Sequence, residues 1–329
     1  MKTVTPPHVP AHGHGLPLKV GTRGSPLARQ QTATFLALLR AVCPMLGRSE
    51  VFDEHIITTT GDAVQNRPLA EIGGKGLFAK EIHEALEAGR IDFAVHSLKD
   101  LETTLPEGIA LACTLKREDA RDALILPPGM APRDPADPYA TLSDGANIGS
   151  ASVRRQAQLK YARPDLKFSL LRGNVGTRLA KIEARELDAT LLAYAGLRRL
   201  GLGDRASVVL SAEQMVPAAC QGIVGITVRT ADKSLHELLA AIEDPEAKAV
   251  STAERALLAA LDGSCRTPIG GYARLLPDGT LHLTGLVART DGTFLLKRGT
   301  TGLIQDAEAM GRELGRELKA DSPEDIFAP

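Results

Sequence analysis

One cysteine, Cys265, lies in the polar, glycine-rich stretch LDGSCRTPIGG at residues 261–271. Arg266 follows it directly, and a neighbouring cation on an exposed turn lowers the pKa of a thiol and favours the nucleophilic thiolate. A passive, buried role suits Cys43 and Cys113 better, since both lie in or beside apolar stretches. No Cys-His-Asn pattern for acyl transfer accompanies Cys265. The stretch therefore predicts a thiol that attaches a group.

Arginines recur where predicted strands lead into helices. The positions are Arg23, Arg154, Arg155, Arg172, Arg178 and Arg199. Such junctions add backbone N–H groups and the positive end of a helix to the guanidinium, whose planar fork fits carboxylate or phosphate. A single arginine of this kind is usually a solvated surface charge. Six at matching junctions predict a cleft that binds a polyanion.

The stretch VHSLKD places Lys99 and Asp100 at the end of an apolar strand. In an open α/β sheet this is the edge that binds ligands. An acid beside cations stays ionised at neutral pH and stabilises a positively charged intermediate. An aspartate that only caps a turn fits the same pattern. His96 is interpreted as a hydrogen-bonded residue at the strand end.

Composition limits the classes of protein that these residues can serve. The chain has 329 residues, 43% of them hydrophobic, with 39 Lys plus Arg against 40 Asp plus Glu. Near-zero net charge and few aromatic residues disfavour a nucleic-acid-binding regulator. The four cysteines lack metal-ligand spacing, and no apolar run is long enough to cross a membrane or to form a signal peptide. We therefore expect a cytoplasmic protein with no metal site.

The chain alternates short apolar strands with helical stretches, which indicates an α/β fold. LKVGT predicts a strand, followed by a helix with Ser25 as N-cap and Pro26 at its first position. ANIGSASVRRQ repeats this plan, and ELDATLLAYAG echoes RIDFAVHSLKD, each with an aspartate just inside the strand. These echoes predict two similar lobes with a cleft between them. CQGIVGITVR is interpreted as a strand that returns to the first lobe.

Four segments follow from this pattern. They are a disordered extension at 1–16, a first lobe at 17–116 plus 219–240, a second lobe at 117–218, and a small α+β domain at 245–329 that carries Cys265. A disordered extension is the preferred interpretation of the first segment, although His8, His12 and His14 are in principle metal ligands. The polar stretch at 61–76 is long enough to be a mobile functional loop.

Nine stretches occur in a fixed order between about Lys19 and Gly271. They are TRGSPLA, GGKGLF, AVHSLKD, REDARDAL, SVRRQAQL, LRGNVGTRL, AGLRRLGL, TAERALL and C-x-x-PIG. Together they resemble the porphobilinogen deaminases, or hydroxymethylbilane synthases, over nearly the whole chain apart from the extension and a weaker tail. The resemblance implies two periplasmic-binding-protein-like (type II) lobes and a small α+β domain. It also implies a monomer that joins four porphobilinogens into linear hydroxymethylbilane with loss of ammonia, in the biosynthesis of haem, chlorophyll or cobalamin.

The same resemblance implies roles for individual residues. Cys265 would carry a dipyrromethane cofactor through a thioether, and Asp100, assisted by Lys99, would be the catalytic acid. The implied cofactor-binding residues are Lys99, Asp100, Ser152, Arg154, Arg155 and Arg172. The implied substrate-binding residues are Arg23, Ser25, Lys75, Arg172, Arg178 and Arg199.

Several residues depart from the pattern of that family. They are Glu71 for lysine, Ala151 for serine, Glu102 for proline, Cys220 for glycine, and Arg266 beside the cofactor cysteine. Glu102 brings a negative charge near Asp100 in sequence and is expected to raise the pKa of that acid. None of the departures removes an implied catalytic residue. The alternative function is a catalytically impaired, two-lobed paralogue that binds polycarboxylates.

Overall fold

The computed structural model describes residues 14–47, 51–64, 76–134, 137–261 and 267–327. Its strands are β1 (Leu18–Thr22), β2 (Phe52–Ile56), β3 (Phe93–Ser97), β4 (Ile109–Thr114), β5 (Asp122–Ile125), β6 (Asn147–Gly149), β7 (Lys167–Ser169), β8 (Ala189–Ala193), β9 (Val208–Val209), β10 (Val224–Arg229), β11 (Ile269–Leu275), β12 (Leu281–Ala288) and β13 (Leu295–Gly302). Its helices are α1 (Pro26–Val42), α2 (Thr60–Ala63), α3 (Lys80–Glu87), α4 (Val153–Ala162), α5 (Val175–Glu183), α6 (Tyr194–Arg199), α7 (Lys233–Ala240), α8 (Pro245–Leu261) and α9 (Ala307–Ala320). The predicted mixed α/β class is confirmed.

Two five-stranded sheets repeat one topology. The first has the order β2-β1-β3-β10-β4 and the second the order β7-β6-β8-β5-β9. In each sheet the fourth strand, β10 or β5, runs antiparallel to both of its neighbours, and the other four strands run in one direction. Strand β10 pairs with β3 and β4, so the late apolar run does return to the first sheet, as predicted.

Asp92 and Asp188, the aspartates of the two echoed stretches, accept equivalent hydrogen bonds in the two lobes. The carboxylate of Asp92 accepts the backbone N–H of Lys19 at 2.8 Å, and that of Asp188 accepts the N–H of Asn147 at 2.7 Å. Each bond ties the start of one parallel strand to its neighbour. The sequence echo therefore reflects a repeated contact.

The helices that follow β1 and β6 both begin at the predicted serine. The Ser25 hydroxyl accepts the N–H of Ala28, and the Ser152 hydroxyl accepts that of Arg155. An N-cap oxygen satisfies one of the four free N–H groups at the start of a helix. Because each serine lies at a strand end, the caps hold the first helical turn at the same edge of the sheet.

The remaining strands form a small, separate sheet, β11-β12-β13, covered by α8 and α9. Leu257, Leu283 and Leu314 are buried at its centre. The glycines of α9 let the two helices approach closely, since a Cβ at Gly311 would lie 2.2 Å from the carbonyl of Ala253. The expected small α+β unit is confirmed.

A buried ion pair joins this small unit to both lobes. Glu254 of α8 is fully buried and accepts a hydrogen bond from Arg117 Nη1 at 2.6 Å. It also accepts the backbone N–H groups of Cys220 and Ala273. Arg117 lies on the connection from β4 to β5, and Cys220 on the return to β10. One carboxylate thus contacts both inter-lobe connections and the small sheet.

Two cysteines have the buried environment expected of them. Cys43 and Cys113 are fully buried, and burial raises the pKa of the Cys113 thiol to about 12, consistent with the passive role expected of it.

Residues 1–13 and 65–75 lie outside the described residues, and so does most of each predicted mobile or disordered segment. His14 is described, and its Nε2 lies 2.8 Å from Asp232 Oδ1. Within the described ranges, no helix combines the length and apolarity needed to cross a bilayer.

Candidate active site

The predicted site residues that the structure describes lie at the carboxyl ends of parallel strands in both lobes. Arg23 follows β1, and Lys99 and Asp100 form a 3₁₀ turn after β3. Arg154 and Arg155 follow β6, Arg172 and Arg178 follow β7, and Arg199 ends the helix after β8. Because the two lobes share one topology, their equivalent edges supply equivalent junction residues. Polar contacts join the two edges.

Arg23 is surrounded by groups of the first lobe. Its Nε donates to Asp62 Oδ2 at 3.0 Å, while Nη1 lies 3.9 Å from Asp100 Oδ2. The ring of Phe78 covers one face of the guanidinium, 4.2 Å from Cζ. Burial lowers the pKa of Arg23, but the contacts with Asp62 and Asp100 outweigh it, so the pKa lies above its usual value. Arg23 is therefore a fixed cation beside Asp100.

Arg154 and Arg155 share one counter-ion. Asp122, fully buried at the start of β5, lies 2.8 Å from Arg154 Nη1 and 2.7 Å from Arg155 Nη2. Burial acts to raise the pKa of Asp122, and the two guanidinium groups outweigh it and hold that pKa well below its usual value. Two cations compensated by one carboxylate leave net positive charge at this edge.

Lys99 is linked to the same carboxylate through Gln221. Its Nζ donates to Gln221 Oε1 at 3.2 Å, and Gln221 Nε2 donates to Asp122 Oδ1 at 3.0 Å. Burial is the main cause that lowers the pKa of Lys99, to about 8, with Arg155 and Arg154 acting in the same direction. Since Lys99 belongs to the first lobe and Asp122 to the second sheet, this chain of hydrogen bonds spans the two lobes.

The remaining arginines donate mainly to backbone carbonyls. Arg172 Nη2 donates to the carbonyl of Gly61 in the opposite lobe at 2.9 Å, and Arg178 Nε donates to that of Gly173 at 2.8 Å. Burial lowers the pKa of Arg178 to about 10, and the charges of Arg155 and Arg172 add to this effect. Mutually repelling, partly desolvated cations are stabilised when an anion binds between them.

Two further described residues of the predicted site are Arg199 and Asp100, the predicted catalytic acid. Arg199 Nη2 donates to the carbonyl of Gly222 at 2.7 Å, and burial lowers the pKa of its guanidinium. The Asp100 side chain is 34% exposed, so its carboxylate is open to a ligand while Arg23 lies beside it. The arrangement can bind several carboxylates and stabilise one positive charge.

Comparison with known proteins identifies the family of the chain. Residues 18–237 match the family model "porphobilinogen deaminase, dipyromethane cofactor binding domain", and residues 248–320 match its C-terminal domain. A porphobilinogen deaminase of Nitrobacter hamburgensis is 47% identical over 94% of this chain and 94% of its own length. The chloroplastic enzyme of Oryza sativa subsp. japonica is 44% identical over 94% of this chain and 85% of its own.

The chain belongs to the porphobilinogen deaminase family. It is accordingly a transferase of tetrapyrrole biosynthesis with a dipyrromethane cofactor and a small-molecule substrate. Among solved structures, a YaeC-family lipoprotein of Enterococcus faecalis is similar with a TM-score of 0.41 and 11% identity, covering 70% of this chain and 92% of that one.

The described residues fit the cofactor of a porphobilinogen deaminase. A dipyrromethane built from two porphobilinogens carries acetate and propionate groups, and the cleft holds more cations than carboxylates. Lys99, Arg154, Arg155, Arg172 and Arg178 provide donors from both lobes. Their charge excess matches an acidic ligand. Cys265 and Lys75, together with Glu71 and Arg266, lie outside the described residues.

Three departures from the family pattern lie among the described residues. Cys220, where the family commonly has glycine, adopts a φ of 62°, in the left-handed region that favours glycine. The carboxylate of Glu102, expected to act on Asp100, contacts His83, with Nδ1 and Oε1 separated by 3.3 Å. Ala151 leaves the Ser150 hydroxyl to accept the N–H of Ser152 at 3.1 Å.

Three residues that contact predicted site residues were not singled out in the sequence. Asp62 and Phe78 lie beside Arg23, and Asp122 lies between the paired arginines. Asp122 had a signal, because it is an aspartate just inside an apolar strand, like Asp92 and Asp188. Asp62 and Phe78 had none, since their partner lies far away in the sequence.

Proposed function

We propose that this chain is a hydroxymethylbilane synthase that joins four porphobilinogens head to tail, with loss of one ammonia from each. The observation that supports this best is the accessible carboxylate of Asp100 within a cleft of cations. A protein that only binds anions has no use for a carboxylate at that point, because it repels the ligand.

The chemistry requires stabilisation of a positive charge. Loss of ammonia from the aminomethyl group breaks a C–N bond, whose electron pair leaves with nitrogen, and yields an azafulvenium cation. The free α-carbon of a second pyrrole then forms the C–C bond and releases its proton. Asp100 is the catalytic acid in this proposal. Its carboxylate accepts a hydrogen bond from the pyrrole N–H and stabilises the cation in a partly desolvated site. Lys99, its neighbour, carries a pKa of about 8 and is suited to proton exchange near neutral pH.

Binding of the growing chain falls to the surrounding cations. Each porphobilinogen adds an acetate and a propionate, so every step adds two carboxylates. Arg23, Arg172, Arg178 and Arg199, with Ser25 and Lys75, are the proposed substrate-binding residues. Lys99, Asp100, Ser152, Arg154, Arg155 and Arg172 are the proposed cofactor-binding residues. The mutual repulsion of Arg155, Arg172 and Arg178 supports this assignment, because bound carboxylates relieve it.

Attachment of the cofactor is assigned to Cys265 through a thioether. When bound, the dipyrromethane supplies the pyrrole carbon to which the first substrate is joined. Helix α8 ends at Leu261, close in sequence to this cysteine, and its Glu254 contacts both inter-lobe connections. The proposal also includes action as a cytoplasmic monomer, with neither nucleic acid nor membrane as partner.

Intact mass spectrometry of the purified full-length protein under denaturing conditions tests the proposal, with Cys265→Ala as the matched variant. We expect the wild type to exceed its sequence mass by two porphobilinogens less two ammonias, and the variant to show no excess. A turnover assay should then release one ammonia for each porphobilinogen consumed.

Two outcomes would contradict the proposal. An unmodified wild-type mass, unchanged after incubation with porphobilinogen or hydroxymethylbilane, would favour the impaired polycarboxylate-binding paralogue. A loaded protein that binds porphobilinogen without releasing ammonia would favour the same alternative.

A further inference from the structure

The turn that carries Asp100 is anchored on its two sides. Leu98 and Leu101 are buried in the core shared with the small C-terminal unit, and the N–H of Leu98 donates to the carbonyl of Ile223 at 3.0 Å. These contacts fix the backbone before and directly after Asp100. The next residue, Glu102, turns its side chain back into the first lobe.

Glu102 and His83 form a buried pair. Their side chains are 10% and 3% exposed, and His83 Nδ1 lies 3.3 Å from Glu102 Oε1. Burial acts to raise the pKa of Glu102, and the contact with His83, aided by Arg255, outweighs it, so the pKa lies below its usual value. Glu102 is therefore a carboxylate in the folded protein at neutral pH.

Among the described residues of the first lobe, the other groups around the pair bring no second counter-charge to the Glu102 carboxylate. The ring of His96 lies 5.7 Å from that of His83 and donates to or accepts from Thr227 Oγ1 at 2.9 Å. Burial, with the charges of His83 and Arg23, lowers the pKa of His96 to about 3, so it is neutral. Apart from its contact with Glu102, neither ring nitrogen of His83 has a hydrogen-bond partner among the described residues.

Glu102 also contacts α3, α8 and Gly76. Its backbone carbonyl and that of Thr103 accept Arg255 Nη2 of α8 at 2.9 and 2.8 Å. Gly76, the residue after Lys75, has a φ of 77°, and a Cβ there would lie 2.9 Å from Glu102 Oε1. A buried carboxylate seldom adds net stability, because its desolvation offsets the attraction to its partners. The position of Glu102 between these segments points to a different role.

We propose that Glu102 is a positioning residue for Asp100, held by the buried contact between its carboxylate and the His83 ring of α3. The contact between Glu102 and His83 fixes the distance between the Asp100 turn and α3. This role rests on the proposed function, because it presumes that Asp100 acts on the substrate.

Steady-state kinetics with porphobilinogen and the full-length, cofactor-loaded protein test this role. The variants are Glu102→Gln, His83→Gln, the double variant, and the charge-swapped pair His83→Glu with Glu102→His. Glu107→Gln is the matched control, since it changes an exposed glutamate of the same loop. Intact mass measures cofactor loading in every sample, which separates loading from turnover.

We expect each single variant to lower kcat about tenfold, short of the roughly hundredfold that a 1 Å misplacement can produce. KM should change less than about twofold, because no substrate contact is removed. The double variant should be no slower than the slower single one, since both remove one interaction. The swapped pair should recover most of kcat, and Glu107→Gln should match the wild type.

Wild-type kcat in both single variants would overturn the role of Glu102. So would multiplicative losses in the double variant, or a fall in thermal stability with kcat unchanged at 25 °C. If Glu102→Gln does not fold, the swapped pair and His83→Gln decide between these outcomes. A wild-type protein that does not turn over porphobilinogen would instead refute the proposed function itself.

Discussion

The carboxylate of Asp62 accepts hydrogen bonds from both Nε and Nη2 of Arg23, on the same edge of the guanidinium. The Nη1 side remains directed toward Asp100, at 3.9 Å. Thr59 Oγ1 donates to Asp62 at 2.8 Å and fixes its orientation, while Phe78 covers one face of the arginine. Asp62 thus determines which edge of Arg23 faces the cleft.

Replacement of Asp62 by asparagine should weaken substrate use. The amide retains the shape but loses the charge and presents N–H groups to a cation, so Arg23 becomes free to rotate. Loss of one hydrogen bond to a charged group corresponds to about 1.5 kcal/mol, and we expect kcat/KM for porphobilinogen to fall roughly tenfold. Asp144→Asn is the control, because that side chain is fully exposed. Unchanged kcat/KM in Asp62→Asn would show that Arg23 needs no such partner.

Replacement of Asp122 by asparagine should destabilise the fold. Arg154 and Arg155 would both lose their shared carboxylate while remaining buried, and breaking a buried pair costs about 3–5 kcal/mol. Urea unfolding measures the change. Asp119→Asn, which removes a partly exposed pair with Arg121, should cost less than about 1 kcal/mol. Equal losses in the two variants would contradict the importance of burial.

The contribution of Asp122 to stability should depend on pH in one direction. Its folded-state pKa lies below the unfolded value, so the folded protein binds fewer protons in acid. The stabilisation is therefore fully present above an unfolded pKa of about 3.9 and is lost as pH falls through the folded pKa. The difference in unfolding free energy between wild type and Asp122→Asn should stay constant from neutral pH to about 5, and shrink only below the unfolded pKa. A difference that shrinks already near neutral pH would assign the effect to another group.

Lys99 should set an alkaline limit on activity. Its pKa of about 8 in the folded protein means that the cation is present below this pH and is lost above it. Because kcat/KM reports groups of the free enzyme, it should decline as pH rises through about 8. Lys99→Arg retains a cation and should move the decline to higher pH, whereas Lys99→Gln should lower kcat/KM across the range. A decline at the same pH in Lys99→Arg would exclude Lys99 as its cause.

Arg185 offers a prediction about stability outside the site. It follows the end of α5 with a φ of 55°, and the N–H of Glu186 donates to the carbonyl of Lys181 at 3.1 Å. Glycine adopts this left-handed geometry without the steric penalty of a Cβ. We expect Arg185→Gly to raise the free energy of unfolding by about 0.5–1 kcal/mol. Lys181→Gly, inside the same helix, should lower it by about 1 kcal/mol; loss of stability in both variants would refute the conformational explanation.

Much of the fold could be predicted because its signals are local. A serine that caps a helix acts on N–H groups three residues away, as Ser25 and Ser152 do. The alternation of strands and helices and the two echoed stretches indicated the repeated lobe, which the two sheet orders confirm. Cationic junction residues could also be identified, because a strand end places them at the sheet edge. Their individual roles remain predictions.

The partners of those residues came from the tertiary structure. Asp122 compensates Arg154 and Arg155 across about thirty positions of sequence, and the consequence for charge follows only from their burial. Glu102 is close to Asp100 in sequence, and only the folded chain shows that its carboxylate contacts His83. By itself, the sequence determined the family, the order of the elements and the residue types at the cleft, because these depend on local pattern. Only the folded chain decided which charges meet and how far each is desolvated, because electrostatic energies depend on distance and burial, which the order of residues does not record.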